Sequence, residues 1–219
     1  EEDQNDYGHL PGKKENLIVD LTTRGRAFVK LLENEKMLKV FSYFLGNDCI
    51  LYSYTSSILR PDDSPDAAQI HTDSKKFEYI PGYHFGLIMN LALDDFTEEN
   101  GATYYLPGSH KIKEKPNEEE FYKNSVRAIR NAGDAIFFHP LCWHAAGKNL
   151  TKKTRYAVTV YACRSFIKQR LDFPRMVNSE ILSWIGERGR QFLGFNSRVP
   201  TNLYEFYVPE EKRLYKILQ

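Results

Sequence analysis

His71 and Asp73 stand two residues apart, and His144 follows far downstream in the run Phe137-Phe138-His139-Pro140-Leu141-Cys142-Trp143-His144. Two imidazoles and one carboxylate can occupy one face of a divalent metal ion and leave the opposite face open. That donor set suits ferrous iron engaged in oxygen chemistry. Eleven residues beyond His144 comes Arg155, a cation able to grip a carboxylate co-substrate. A histidine and an aspartate two apart are a weak signal alone. The weight comes from the order: the pair closes a strand, a second histidine lies on a late strand, a turn follows, and Arg155 opens the next strand. The competing reading of the same spacing is an ordinary hydrogen-bonded His71–Asp73 pair with His144 as a core histidine.

Bringing these four residues together requires a sheet that closes on itself. Over 26–45 the apolar residues Phe28, Leu31, Leu32, Leu38, Phe41 and Leu45 recur at helical spacing and predict one helix, stopped at Gly46. Residues 49–59, 68–73, 85–93, 102–106, 126–129, 135–139 and 154–163 read as strands. Strand alternation puts His71 and Asp73 on one face and Thr72 on the other, and turns Trp143 away from the face of His144. Turns fall at 61–65, at Asn100-Gly101 and at 131–134, and 147–153 reads as a hairpin loop. Residues 1–16 read as loop, 110–125 as a short helix or excursion, and 179–186 as a helix. Short strands with a helix at one side predict an all-β core with flanking helices, a double-sheet jelly roll. One domain is expected over 1–219, with a helical part at 17–47, a core at 49–165 and an extension at 166–219.

A net charge of +1 leaves no basic footprint, so nucleic acid is not an expected partner. No apolar run approaches a membrane span, so no membrane partner is expected either. Cys49, Cys142 and Cys163 are scattered without a CxxC pair, which fits a reducing, cytoplasmic setting better than a disulfide framework or zinc ribbon. The chain begins Glu1-Glu2-Asp3 without a methionine, so a preceding targeting segment stays open. Asn149-Leu150-Thr151 matches a glycosylation sequon, a pattern common by chance. Oligomeric state is not legible.

Further pieces point to a family. They are Leu91-Ala92-Leu93-Asp94-Asp95, then Asn100-Gly101-Ala102-Thr103-Tyr104-Tyr105-Leu106-Pro107-Gly108-Ser109-His110-Lys111, then Gly133-Asp134-Ala135-Ile136-Phe137-Phe138. With His71-Thr72-Asp73, His144 and Arg155, the stretch from about Leu51 to Arg164 resembles the phytanoyl-CoA dioxygenase (PhyH) family of Fe(II)/2-oxoglutarate oxygenases. The resemblance implies a double-stranded β-helix (cupin-like), with His71, Asp73 and His144 binding Fe(II) and Arg155 pairing with the distal carboxylate of 2-oxoglutarate. It implies O2 as the other co-substrate, and oxidation, most simply hydroxylation, of a C–H bond in a small molecule. Related halogenases carry a small residue in place of the carboxylate, so Asp73 implies hydroxylation rather than chlorination.

Asn90, on an otherwise apolar strand, either touches 2-oxoglutarate or a metal-bound water, or makes a structural hydrogen bond. Tyr54 and Ser56 lie on the strand where family members contact substrate and co-substrate. Tyr79, in the loop 74–84 that follows the ligands, is a third substrate candidate, and Lys75 and Lys76 in that loop are either an anion lure or a solvated surface. His84, His110 and His139 lack ligand spacing and read as structural or exposed. Two other readings stay open: a cupin-like metalloprotein with non-oxidative chemistry, and a non-catalytic jelly-roll binding module.

Overall fold

Residues 17–61, 68–74 and 77–213 are described by a computed structural model. Where one helix is expected over 26–45, there are two, α1 (Arg26–Leu31) and α2 (Glu35–Leu45). The apolar stripe runs through the break, but Asn34 caps α2, its side chain accepting the Met37 N–H at 3.0 Å. The α2 stripe of Met37, Leu38, Phe41 and Leu45 is buried. Gly46 ends α2 at φ 93, a backbone angle that suits glycine, and its N–H reaches the Ser42 carbonyl.

The strands are β1 (Ile50–Leu59), β2 (Gly86–Ala92), β3 (Tyr104–Tyr105), β4 (Val126–Arg127), β5 (Ala135–Phe138), β6 (His144–Ala145) and β7 (Arg155–Cys163). They form a four-stranded sheet in the order β1-β7-β2-β5 and a three-stranded sheet in the order β4-β3-β6. In the first, Asn90 lies opposite Ile136 and Ile88 opposite Phe138. In the second, Tyr105 lies opposite His144. A short helix, α3 (Glu118–Asn124), occupies the charged stretch before β4.

Two expectations need correction. Residues 68–73 do not form a strand. Only His71 pairs, exchanging both backbone bonds with His144 at 3.0 Å, while the Asp73 and Ser74 N–H groups turn to the Pro140 carbonyl. With its next donors taken by one loop carbonyl, the segment bends rather than extending a ladder. The loop at 147–153 is not a hairpin, because β6 and β7 belong to different sheets. Asn149 organises it: fully buried, its amide donates to the carbonyls of Leu59 and Lys153 and accepts from Thr151. The sequon is therefore spent inside the fold. Residues 1–16, Lys75, Lys76 and most of the 61–65 turn lie outside the described residues.

The chain divides into two compact units. One comprises Glu1–Val19, Thr55–Tyr83 and Ile88–Thr159, and the other Asp20–Tyr54, His84–Leu87 and Val160–Gln219. The second unit holds α1, α2 and the C-terminal helices, including α4 (Phe173–Met176), α5 (Ser179–Ser183) and α6 (Glu187–Phe192). There Phe41 stacks on Phe192 with ring centroids 5.7 Å apart. Cys49, Cys142 and Cys163 are free and buried. Among the described residues, no helix is long and apolar enough to cross a membrane.

Candidate active site

The first unit brings His71, Asp73 and His144 together. One donor atom from each lies within 4.8 Å of the others. His144 Nε2 is 3.5 Å from Asp73 Oδ2, and His71 Nε2 is 3.9 Å from Asp73 Oδ1. The His71–His144 bridge supplies the closeness, setting the two rings 4.2 Å apart. Each ring spends its other nitrogen on the backbone. His71 Nδ1 lies 2.7 Å from the Gln69 carbonyl, and His144 Nδ1 lies 2.9 Å from that of Cys142. A carbonyl only accepts, so Nδ1 carries the proton in both neutral rings, and both Nε2 lone pairs are available to a metal. Burial holds the His144 pKa below its ordinary value, favouring the neutral form that coordination needs, although Asp73 pulls the other way. His144 is buried, whereas His71 and Asp73 keep about a third of their side chains open, so the cluster is reachable from one side.

Aromatic rings wall the buried side. Tyr105 stacks on His144 at 5.6 Å, and Phe138 meets it edge-on at 5.1 Å. Trp143 turns away, as alternation requires. It packs with Ile70, Leu106, Phe121 and Ala145 and donates its indole N–H to the Ile112 carbonyl at 3.1 Å.

Arg155, at the start of β7, is 3% exposed and donates through Nη1 to the Gly101 carbonyl. Its guanidinium lies 3.9 Å over the Phe96 ring. Burial, and the nearby Arg130 guanidinium, push its pKa down to about 10. Arg155 Nε is buried and, among the described residues, has no hydrogen-bond partner. A buried cation with a donor to spare is suited to an incoming carboxylate.

Asn90 has protein partners at both ends. Its Nδ2 donates to Thr159 Oγ1 at 2.9 Å, and its Oδ1 accepts from Arg130. Sequence reasoning did not single out Arg130, Phe96 or Tyr105. An isolated arginine in Ala-Ile-Arg-Asn carries no spacing signal, and only the isolated backbone bridge of Phe96 with Arg130 brings it beside Arg155.

The substrate candidates are placed differently. Tyr54 is fully buried in the second unit, where its hydroxyl donates to the Phe28 carbonyl at 3.0 Å and burial raises its pKa. Ser56 is buried, and its Oγ accepts the Ile18 N–H at 3.0 Å. Both polar groups thus serve the scaffold. Tyr79 is half-buried and meets His110 edge-on at 5.2 Å, with His139 a further 5.2 Å along.

Comparison with known proteins gives the family of the chain. Residues 2–157 match the profile of the family described as phytanoyl-CoA dioxygenase (PhyH), and the chain belongs to that family. An uncharacterised protein of Mycobacterium tuberculosis is 36% identical over 194 residues, an alignment covering 86% of this chain and 70% of that one. The peroxisomal phytanoyl-CoA dioxygenase of Homo sapiens is 28% identical over 145 residues, covering 58% of this chain and 43% of the human one. Among solved structures, AviO1 from Streptomyces viridochromogenes superposes with a TM-score of 0.57 at 17% identity, over 73% of this chain and 72% of that one. The non-heme alpha-ketoglutarate-dependent epimerase SnoN, from nogalamycin biosynthesis, gives 0.54 at 19% identity, over 68% and 62%. At such identities the likeness is one of fold.

Proposed function

We propose that this chain is a non-haem Fe(II)/2-oxoglutarate-dependent dioxygenase, built on a double-stranded β-helix, that hydroxylates a C–H bond of a small-molecule metabolite. The observation carrying this reading is the convergence of His71, Asp73 and His144 within 4.8 Å, with both histidine Nε2 atoms free to coordinate. Two neutral imidazoles and a carboxylate fit Fe(II) and leave open positions. When bound, the iron would supply activation of O2 coupled to conversion of 2-oxoglutarate to succinate and carbon dioxide.

The chain's residues do the remaining work. Arg155 takes the distal carboxylate of 2-oxoglutarate through its fork of donors, orienting the keto-acid end towards the ligand cluster. Tyr105 and Phe138 exclude water behind His144. The one-sided exposure of His71 and Asp73 gives the substrate its approach. Asp73 occupies the position that a halide would need, which supports hydroxylation over chlorination.

Anaerobic titration of Fe(II) and 2-oxoglutarate tests the assignment. A weak visible charge-transfer band is expected with the unaltered protein and is expected to vanish in Asp73→Ala. A folded protein without the band would instead favour non-oxidative metal chemistry or a binding module. Succinate release against a library of small metabolites then identifies the substrate.

A further inference from the structure

Arg155 is accompanied by a second, half-buried arginine, Arg130, that the site as described does not use. Arg130 forms an isolated backbone bridge with Phe96: its N–H reaches the Phe96 carbonyl at 3.1 Å, and the Phe96 N–H reaches its carbonyl at 2.7 Å. Its guanidinium lies 3.9 Å over the Phe96 ring, the same distance as that of Arg155. Two cations therefore share one aromatic ring, itself 1% exposed and packed with Ala92, Ala102 and Ala157.

Neither cation has a carboxylate within 4.0 Å among the described residues. Arg130 Nε and Nη1, like Arg155 Nε, are buried with no hydrogen-bond partner there. Asn90 meets the remaining nitrogen, Nη2. The Asn90 amide is itself oriented by Thr159, which takes its Nδ2 proton and so turns its oxygen to Arg130. The Tyr105 hydroxyl lies beside Arg130, and its ring stacks on His144. Tyr105 thus links a metal-ligand candidate to two positive charges that lack a direct carboxylate partner, Asp134 and Asp94 acting on them only from beyond 4.0 Å.

Burying like charges side by side with donors unmet is costly, and such groups persist in folds when a ligand meets them. The cost is visible here: burial lowers the pKa of both guanidiniums, and Arg130 further lowers that of Arg155. A dianion compensates two cations, and 2-oxoglutarate is a dianion. We infer that Arg130, held in place by Asn90, is a second co-substrate-binding cation, and that with Arg155 it selects a 2-oxo acid carrying two carboxylates. This rests on the dioxygenase reading above. It also gives Asn90 a role: it positions Arg130 and does not itself touch the co-substrate.

The test is binding of N-oxalylglycine, an unreactive 2-oxoglutarate mimic, to Mn(II)-loaded protein by calorimetry. Mn(II) affinity and the thermal midpoint of the metal-free protein are measured alongside. Arg130→Met is expected to weaken N-oxalylglycine by about 10–100-fold, the effect of one charge-assisted hydrogen-bonding group. Mn(II) affinity stays unchanged, and the metal-free protein melts no lower than the parent, because the removed charge is partly desolvated and has no carboxylate partner. Asn90→Ala is expected to produce a smaller loss in the same direction. Pyruvate, with one carboxylate, is expected to bind the parent far more weakly than N-oxalylglycine does, and to lose less on Arg130→Met.

Equal N-oxalylglycine affinity in parent and Arg130→Met overturns the inference alone. A drop in melting temperature with affinity retained assigns Arg130 a structural role and overturns it too. If the parent binds Mn(II) but not N-oxalylglycine, the dioxygenase reading fails with it. Should Arg130→Met not fold, Arg130→Gln removes the charge while keeping a polar side chain of similar reach, and unchanged N-oxalylglycine affinity there is equally fatal.

Discussion

Gly101 and Gly108 offer a matched pair of perturbations that separates backbone conformation from packing. Both hold left-handed φ, +81° and +77°. Any Cβ there costs about 1–2 kcal/mol from conformation alone. A Cβ on Gly108 would meet nothing within 4 Å, so Gly108→Ala should carry only that cost. A Cβ on Gly101 would lie 2.4 Å from the Gly147 carbonyl oxygen and 2.7 Å from Leu59 Cδ2. The first is backbone and cannot rotate away. Overpacking of this kind adds about 1–3 kcal/mol, for a total of roughly 2–5 kcal/mol in Gly101→Ala. In a domain of this size each kcal/mol moves the melting temperature by about 2–4 °C. Thermal unfolding followed by circular dichroism should therefore show a loss of about 2–8 °C for Gly108→Ala and a larger one, about 4–20 °C, for Gly101→Ala. The Gly101 carbonyl also accepts from Arg155, so displacing it should weaken 2-oxoglutarate binding, whereas Gly108→Ala should not. Equal melting shifts for the two variants would refute the claim that the approach of Gly101 to Gly147 shapes this corner of the fold.

Other outcomes follow from buried polar groups. Asn149→Ala removes the donor to the Leu59 carbonyl and one of two donors to the Lys153 carbonyl, and is expected to cost about 1–3 kcal/mol by chemical denaturation. Tyr54→Phe removes the bond to the Phe28 carbonyl and should cost about 1 kcal/mol while leaving metal affinity unchanged; a selective loss of turnover instead would return Tyr54 to the substrate site. Burial raises the pKa of the Cys49, Cys142 and Cys163 thiols, and only a thiolate reacts with a disulfide reagent. Native protein should thus resist Ellman's reagent at pH 8, with three thiols titrating once it is unfolded.

Much of the scaffold was readable locally. The strands β1, β2, β5 and β7 fall within a residue or two of expectation because β-branched and aromatic runs bounded by turn residues are short-range signals. Gly46 was readable as a helix stop for the same reason. The break at Asn34 was hidden by an apolar stripe that continues across it. The strand expected at 68–73 and the hairpin at 147–153 failed on partner choice, since neither segment's own residues specify what its backbone will pair with. At the site, His71, Asp73, His144 and Arg155 stood out by type and order. Arg130, Phe96 and Tyr105 did not, because their importance lies in what surrounds them.

By itself, the sequence determined which donors exist, that His71 and Asp73 can face one way, and where glycine permits the chain to turn. These depend on residue chemistry and on backbone preferences spanning a few positions. Only the tertiary structure decided that His144 pairs with His71 across 72 intervening positions, that carbonyls hold the Nδ1 protons of both rings, and that Arg130 lies over the ring Arg155 uses. Those outcomes depend on closing long loops and on the exclusion of water around charged groups, which no local pattern encodes.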